Sequence, residues 1–195
     1  MADFNAISDV TATLQAVLAD DLVAVGAVCQ IDDLSTPIAV PPPAPLLTLT
    51  LYEAIEDPSA RNRPNERVVD PATGRIVTRR PPACLLLRYL VTPWSGAPLS
   101  DHLILGRAIQ SLYDHAIIAG AELVGSLRPD NEAIHVTMVP LSLEDRTHVW
   151  RAIGGHYRLS ANYEVRVVHI DGRDISDAPA VRSRRLRVAR PEGPS

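Results

Sequence analysis

Ala83-Cys84-Leu85-Leu86-Leu87-Arg88-Tyr89-Leu90-Val91-Thr92 sets the frame for the whole chain. Leu85, Leu86, Leu87, Tyr89, Leu90 and Val91 make the stretch apolar on both faces, which describes a strand in the middle of a sheet with helices laid over it. Upstream, Leu47-Thr48-Leu49-Thr50-Leu51-Tyr52 alternates, placing Leu47, Leu49 and Leu51 on one face of a half-buried strand. Between the two, residues 57–82 are polar and rich in Arg and Pro. There Arg67-Val68-Val69 and Arg75-Ile76-Val77 flank Asp70-Pro71-Ala72-Thr73-Gly74, which predicts a projecting hairpin.

Towards the N-terminus, Ile7, Val10, Leu14, Val17 and Leu18 recur at helical spacing behind Asn5 or Ser8 as N-cap, predicting a helix that ends near Asp20-Asp21. A short β-branched run from Val23 to Ile31 leads to Pro37, Pro41, Pro42, Pro43 and Pro45, an extended connector unable to form a ladder. Downstream, Ser100 is placed to cap a helix reaching about Ala119, with Leu105, Ile109, Leu112 and Ala116 as its apolar stripe. Gly106 interrupts that helix. Since glycine there costs about 1 kcal/mol against alanine, a closely packed backbone or a bend is expected.

Ile134, Val136 and Met138 alternate as a strand, and Ser142-Leu143-Glu144-Asp145 resembles a capping box for a helix through Trp150 and Ile153, ended by Gly154-Gly155. The last strand is expected from Tyr157 to Ile170. Leu159, Ala161, Tyr163, Val165 and Val167 face one way, while Arg158, Ser160, Asn162, Glu164 and Arg166 face solvent or a partner. This order of elements predicts an α+β fold: a mixed β-sheet flanked by about three helices, without internal repeats. The expected division is one domain over residues 1–180 and an Arg-rich tail over residues 181–195.

At 195 residues the chain is long enough to fold on an apolar core. All 19 basic residues are Arg, and the formal charge is −4. Residues 182–195 hold five Arg against Glu192, a net +4, so the preceding body carries −8. Cys29 and Cys84 lie in apolar runs without Cys or His at metal-ligand spacing and read as core thiols suited to a reducing compartment. The first residues lack a basic and apolar leader pattern, and no apolar stretch approaches the roughly 20 residues that span a bilayer, so a soluble cytoplasmic protein is expected.

No glycine-rich nucleotide fingerprint is present in the sequence. The six histidines, His102, His115, His135, His148, His156 and His169, are scattered without the i, i+4 pairing that would set two imidazoles on one metal. Ser100-Asp101-His102 are adjacent, whereas a catalytic triad gathers its members from separate elements. Asp20-Asp21 and Asp32-Asp33 lack the alternating ligand pattern of a calcium loop and read as solvated turns. No catalytic residue, cofactor site or metal site is therefore expected. Arg182, Arg184, Arg185, Arg187 and Arg190 leave three readings open: an unstructured tail, an arm docking on a neighbour's sheet edge or acidic groove, and a phosphate-binding arm. The acidic body and few aromatics tell against nucleic acid.

Taken together, several stretches resemble the N-terminal domain of the terminator, or cap, proteins of extracellular contractile injection systems of the virulence-cassette and antifeeding-prophage type. They are Ile7-Ser8-Asp9-Val10 with Leu14, Leu49-Thr50-Leu51-Tyr52, Arg61-Asn62, and Pro82 through Thr92. The match continues through His102-Leu103-Ile104-Leu105-Gly106-Arg107-Ala108, Val139 through Asp145, Trp150, and Tyr157 through Val165. The resemblance implies a fold like phage tail terminators and a non-catalytic subunit. Such a subunit would form a six-fold ring distal to the baseplate, ending tube and sheath growth and anchoring the sheath. Its partners would be its own copies, the inner-tube protein and the sheath protein, with neither membrane nor nucleic acid. Its place would be the bacterial cytoplasm, within a particle able to leave the cell. A baseplate or adaptor subunit is the alternative within the same particle, and a small-molecule enzyme or nucleic-acid-binding module the alternative of another class. A heterologous ring needs two unlike complementary surfaces. The expected contact residues are Arg158, Asn162, Glu164 and Arg166 on the last strand, Arg67 and Arg75 on the hairpin, and Arg182, Arg184, Arg185 and Arg187 in the tail.

Overall fold

The periodic N-terminal segment forms helix α1 (Ala6–Leu22), with Val10, Leu14, Leu18 and Leu22 buried along one stripe. Asn5 occupies the N-cap position without a side-chain cap bond; Ser8 Oγ donates to the Asn5 carbonyl at 2.8 Å. The computed structural model describes residues 4–60, 64–69, 74, 76–130, 133–170 and 175–176. After a 3-10 turn at Val23–Val25, the chain runs through β1 (Val28–Ile31), β2 (Leu46–Glu56), β3 (Glu66–Val69), β4 (Ile76–Arg79), β5 (Ala83–Trp94) and α2 (Pro98–Asp114). It continues through β6 (Ile117–Ile118), β7 (Ile134–Met138), α3 (Leu143–Ala152), β8 (Ala161–Ile170) and β9 (Ile175–Ser176).

Two compact units result, one within residues 1–63 and 82–172, the other within 64–81 and 173–195. The larger holds a mixed sheet in the order β1-β2-β5-β8-β7-β6, parallel only between β1 and β2. The doubly apolar stretch from Ala83 to Thr92 is thus an interior strand, and the fold class is α+β as expected. The smaller unit contains the expected hairpin, β3 against β4, with β9 added antiparallel to β4. The expected boundary at residue 180 falls outside the described residues.

One face of the large sheet presents Leu47, Leu49, Leu87, Tyr89, Val91, Ala161, Tyr163 and Val165 to α1 and α2, whose Leu14, Leu18, Ile104 and Leu112 close the core. The other presents Leu46 and Leu90 to Trp94, Trp150 of α3, and Leu34 from the loop after β1. α1 is tied down by Asp9, whose Oδ2 accepts from the Ser126 amide (2.8 Å) and hydroxyl (2.6 Å). Gly125 beside it sits at φ +63°, and a Cβ there would collide with that carboxylate.

Three local expectations are corrected. α2 begins at Pro98, in the first-turn position its fixed φ suits, so Ser100 lies inside the helix. It ends at Asp114 instead of Ala119, because β-branched Ile117 and Ile118 pair with His135 and Ile134 as β6. The last strand begins at Ala161, leaving Tyr157 to Ser160 as irregular backbone. α3 follows its expected cap, with Ser142 Oγ accepting from the Asp145 amide at 3.0 Å. Near Gly106, nothing lies within 4 Å of where a Cβ would stand, so no neighbouring backbone within the described chain accounts for it.

Candidate assembly surfaces

The expected outward face of β8 is the largest departure from the alternation reading. Asn162 and Glu164 are 3% and 4% exposed, and Ser160 is buried as well. Asn162 and Glu164 pair in register with Leu90 and Arg88 of β5 on a face that the Trp94 and Trp150 cluster covers. The sequence assigns polar residues to solvent; here hydrogen bonding makes burial tolerable instead. Asn162 Oδ1 accepts from the Tyr52 hydroxyl at 2.6 Å, and its Nδ2 donates to the Val139 carbonyl at 3.3 Å. Ser160 Oγ accepts from the Trp150 indole at 3.4 Å. Burial raises the Tyr52 phenol above its usual range, opposed by the nearby Arg88 charge.

Below this, an ionic ladder crosses three strands. Arg88 Nη1 donates to Glu53 Oε2 at 2.6 Å and Arg88 Nε to Glu164 Oε2 at 3.4 Å, while Arg166 Nε donates to Glu164 Oε1 at 2.6 Å. Both oxygens of Glu164 are engaged by guanidinium groups, so the carboxylate has a structural occupation. Arg166 has half its side chain in solvent and shares an open cleft of about 370 Å³ with His135, Thr137, Val139 and Glu164. Sequence reasoning missed Glu53 and Arg88; the available signal was an arginine set inside an apolar central strand.

Arg158 is partly buried, its guanidinium 4.2 Å from the centroid of the Trp94 ring and its Nη2 donating to Asp101 Oδ2 at 3.2 Å. Asp101 also accepts from the Ser95 hydroxyl at 2.7 Å, which accounts for the Ser100-Asp101-His102 trio as part of a helix start. Arg67 is exposed on β3. Arg75, Arg182, Arg184, Arg185 and Arg187 lie outside the described residues. Burial pushes the Cys29 thiol up to about 12, and Cys84 is buried, in keeping with core thiols. Among the described residues no group of three or more His, Cys, Asp or Glu is arranged to hold a metal ion, and no helix is long and apolar enough to cross a membrane.

The architecture resembles two solved structures. One is a cryo-EM structure of an extracellular contractile injection system, the PVC sheath/tube terminator in the extended state. It shares 23% identity, a TM-score of 0.62, and coverage of 94% of this chain and 64% of that one. The other is the anti-feeding prophage cap, a tube terminating cap, at 18% identity and TM-score 0.55, covering 96% of this chain and 62% of that one. The fold is thus that of the tube-terminating caps, and this chain spans a little under two thirds of their length. Residues 9–184 match the family described as the Pvc16 N-terminal domain, and the chain belongs to that family. No curated protein matches the sequence.

Proposed function

We propose that this chain is a structural subunit capping the distal end of the tube and sheath of a phage-tail-like contractile injection system. It acts as a ring that terminates assembly and anchors the sheath. The observation that carries this reading is the family match over residues 9–184 joined to the fold of two tube-terminating caps. The chain works by contact and catalyses no reaction. In the cleft beside β8, consistent with this, the carboxylate that could serve as a base is occupied by two arginines.

Its partners are its own copies in a six-fold ring, the inner-tube protein and the sheath protein, and it resides in the bacterial cytoplasm as part of the particle. Arg166 and Arg67 are accessible cations of the described surface. With Arg75 and the arginines of the tail that follows the domain at about residue 180, they contact neighbouring proteins. Arg158, Asn162 and Glu164 act from within, fixing the sheet that presents them. The test is deletion of the gene followed by electron microscopy of the particles. Sheaths of irregular length or failed assembly are expected, and particles of normal length and structure would overturn the proposal.

A further inference from the structure

The two edge strands of the large sheet are unlike in sequence but alike in what they expose. On β1, Val28 and Ile31 are 57% and 46% exposed. The register places Val28 beside Leu46, on the face covered by α3, and Ile31 beside Leu49, on the face covered by α1 and α2. At the opposite edge, Ile117 and Met138 are 61% and 53% exposed. Ile117 pairs with His135, on the α3 face, and Met138 with Tyr163, on the α1 and α2 face. Each edge therefore carries one large apolar side chain per face.

Among the described residues neither edge is defended. β1, β6 and β7 contain no Asp, Glu, Lys, Arg or Pro, the residues that ordinarily blunt an open edge. β6 is two residues long and, among the described residues, leaves Thr137 and Met138 of β7 without a paired neighbour on that side. Beside it, a groove of about 340 Å³ between α2 and β7 is lined by Ile109, Leu112, Tyr113, Val136, Met138 and Tyr163. Among the described residues the Tyr163 hydroxyl is buried without a hydrogen-bond partner, and Tyr113 stands at the groove 80% exposed.

We propose that the β6 and β7 edge, with the Tyr113 and Met138 groove, seats the β1 edge of a second copy of this chain, so that the sheet continues from one protomer into the next. The inference rests on the ring reading, which requires two unlike surfaces that meet head to tail. The opposite ends of one sheet are such a pair, each present once per protomer. With the faces of the sheet kept, the incoming β1 runs antiparallel to β7, and Ile31 meets Met138 on the α1 and α2 face, at the open end of β7. Gln15 Nε2 already donates to the Cys29 carbonyl at 3.2 Å, occupying part of the β1 edge. Side-chain packing therefore carries more of this contact than a long ladder does.

The experiment places Ile31→Cys and Met138→Cys in one full-length chain whose Cys29, a free thiol on β1, is replaced by Ala, assembles particles, and treats them with a short flexible bismaleimide. A ladder of dimers and higher species on a denaturing gel is expected from the double variant only. Dimers from either single variant would mean a like-to-like contact and overturn the proposal. So would the absence of a ladder in particles of normal sheath length, an outcome that leaves the ring reading standing. A second arm compares Met138→Arg with Leu99→Arg, an exposed leucine in the first turn of α2, at the far end of that helix from Tyr113. Burying an unpaired charge predicts about a tenfold or greater loss of normally terminated particles for Met138→Arg alone. Equal behaviour of the two variants overturns the interface.

Discussion

The two faces of the large sheet are both buried, but by different physics. On one, α1 and α2 cover Leu47, Leu87, Tyr89 and Val165 in a continuous apolar core. On the other, two tryptophans and α3 cover Leu46 and Leu90, while Thr48, Thr50, Thr92, Asn162 and Glu164 are buried among them. The first face is stabilised chiefly by removing apolar area from water. The second also depends on satisfying polar groups: the Trp94 indole donates to Thr48 Oγ1 at 3.0 Å, Tyr52 to Asn162, and Arg88 to Glu53. A sheet with one greasy and one hydrogen-bonded interior tolerates substitution differently on its two sides.

The largest expected effect tests whether the second face is a core at all. Leu87 and Leu90 lie three residues apart on β5, both fully buried, on opposite faces. Leu87→Ala and Leu90→Ala should each lose about 2–5 kcal/mol in chemical denaturation, the range for a leucine cavity. A cost below about 1 kcal/mol for Leu90→Ala alone would show that the second face collapses or floods easily, and the comparison would fail.

Alkali separates the faces next. On the apolar face, burial pushes Tyr89 up to about 12, countered in part by its hydrogen bond with Thr11, and pushes Tyr163 up to about 12. Both phenols are neutral when protonated, so a folded pKa above the unfolded value of 10.0 gives stability that is complete below pH 10. It is lost as pH rises from about 10 to about 12, because the unfolded chain ionises first. Thermal melts across that window should show a falling midpoint, and the double variant Tyr89→Phe, Tyr163→Phe should flatten the fall. An unchanged slope in that variant would place the alkaline sensitivity elsewhere.

Glu164→Ala probes the hydrogen-bonded face. Arg88 retains Glu53, whereas Arg166 loses the only carboxylate it touches in the ladder. Because the buried end of the network is only partly uncompensated, a loss of about 1–3 kcal/mol is expected. Glu164→Gln should fall between wild type and Glu164→Ala, since an amide oxygen still accepts from one guanidinium. Were Glu164→Leu as stable as wild type, the ladder would contribute nothing beyond its volume.

What the sequence made legible follows the same division. Alternating Leu47, Leu49 and Leu51, the doubly apolar Ala83–Thr92 run, the hairpin flanks and the Ser142 cap are local signals, and each appears in the fold. The buried polar side of β8 was not legible, because its cover comes from Trp94, Trp150 and Leu34, which are remote in sequence from the residues they bury. Period-2 alternation reports polarity and cannot tell a solvated face from a hydrogen-bonded one. Of the expected contact residues, Arg166 and Arg67 stand exposed, Arg158 is engaged by Trp94 and Asp101, and Asn162 and Glu164 are interior. The apolar edges were hidden for another reason: Val28, Ile117 and Met138 look like core residues until strand order places them at the ends of the sheet.

The smallest effect lies on neither face and serves to bound the comparison. Gly106 sits midway along α2, in an outward row with Leu99, Leu103 and Tyr113, all exposed. An added methyl meets no atom within 4 Å and the backbone needs no positive φ there. Propensity alone should then decide the outcome in the isolated chain, and Gly106→Ala should gain up to about 1 kcal/mol, read as a higher melting midpoint. A loss instead would mean that α2 is constrained at that turn by something other than the two buried faces, and the account of the core as two interiors divided by one sheet would be incomplete.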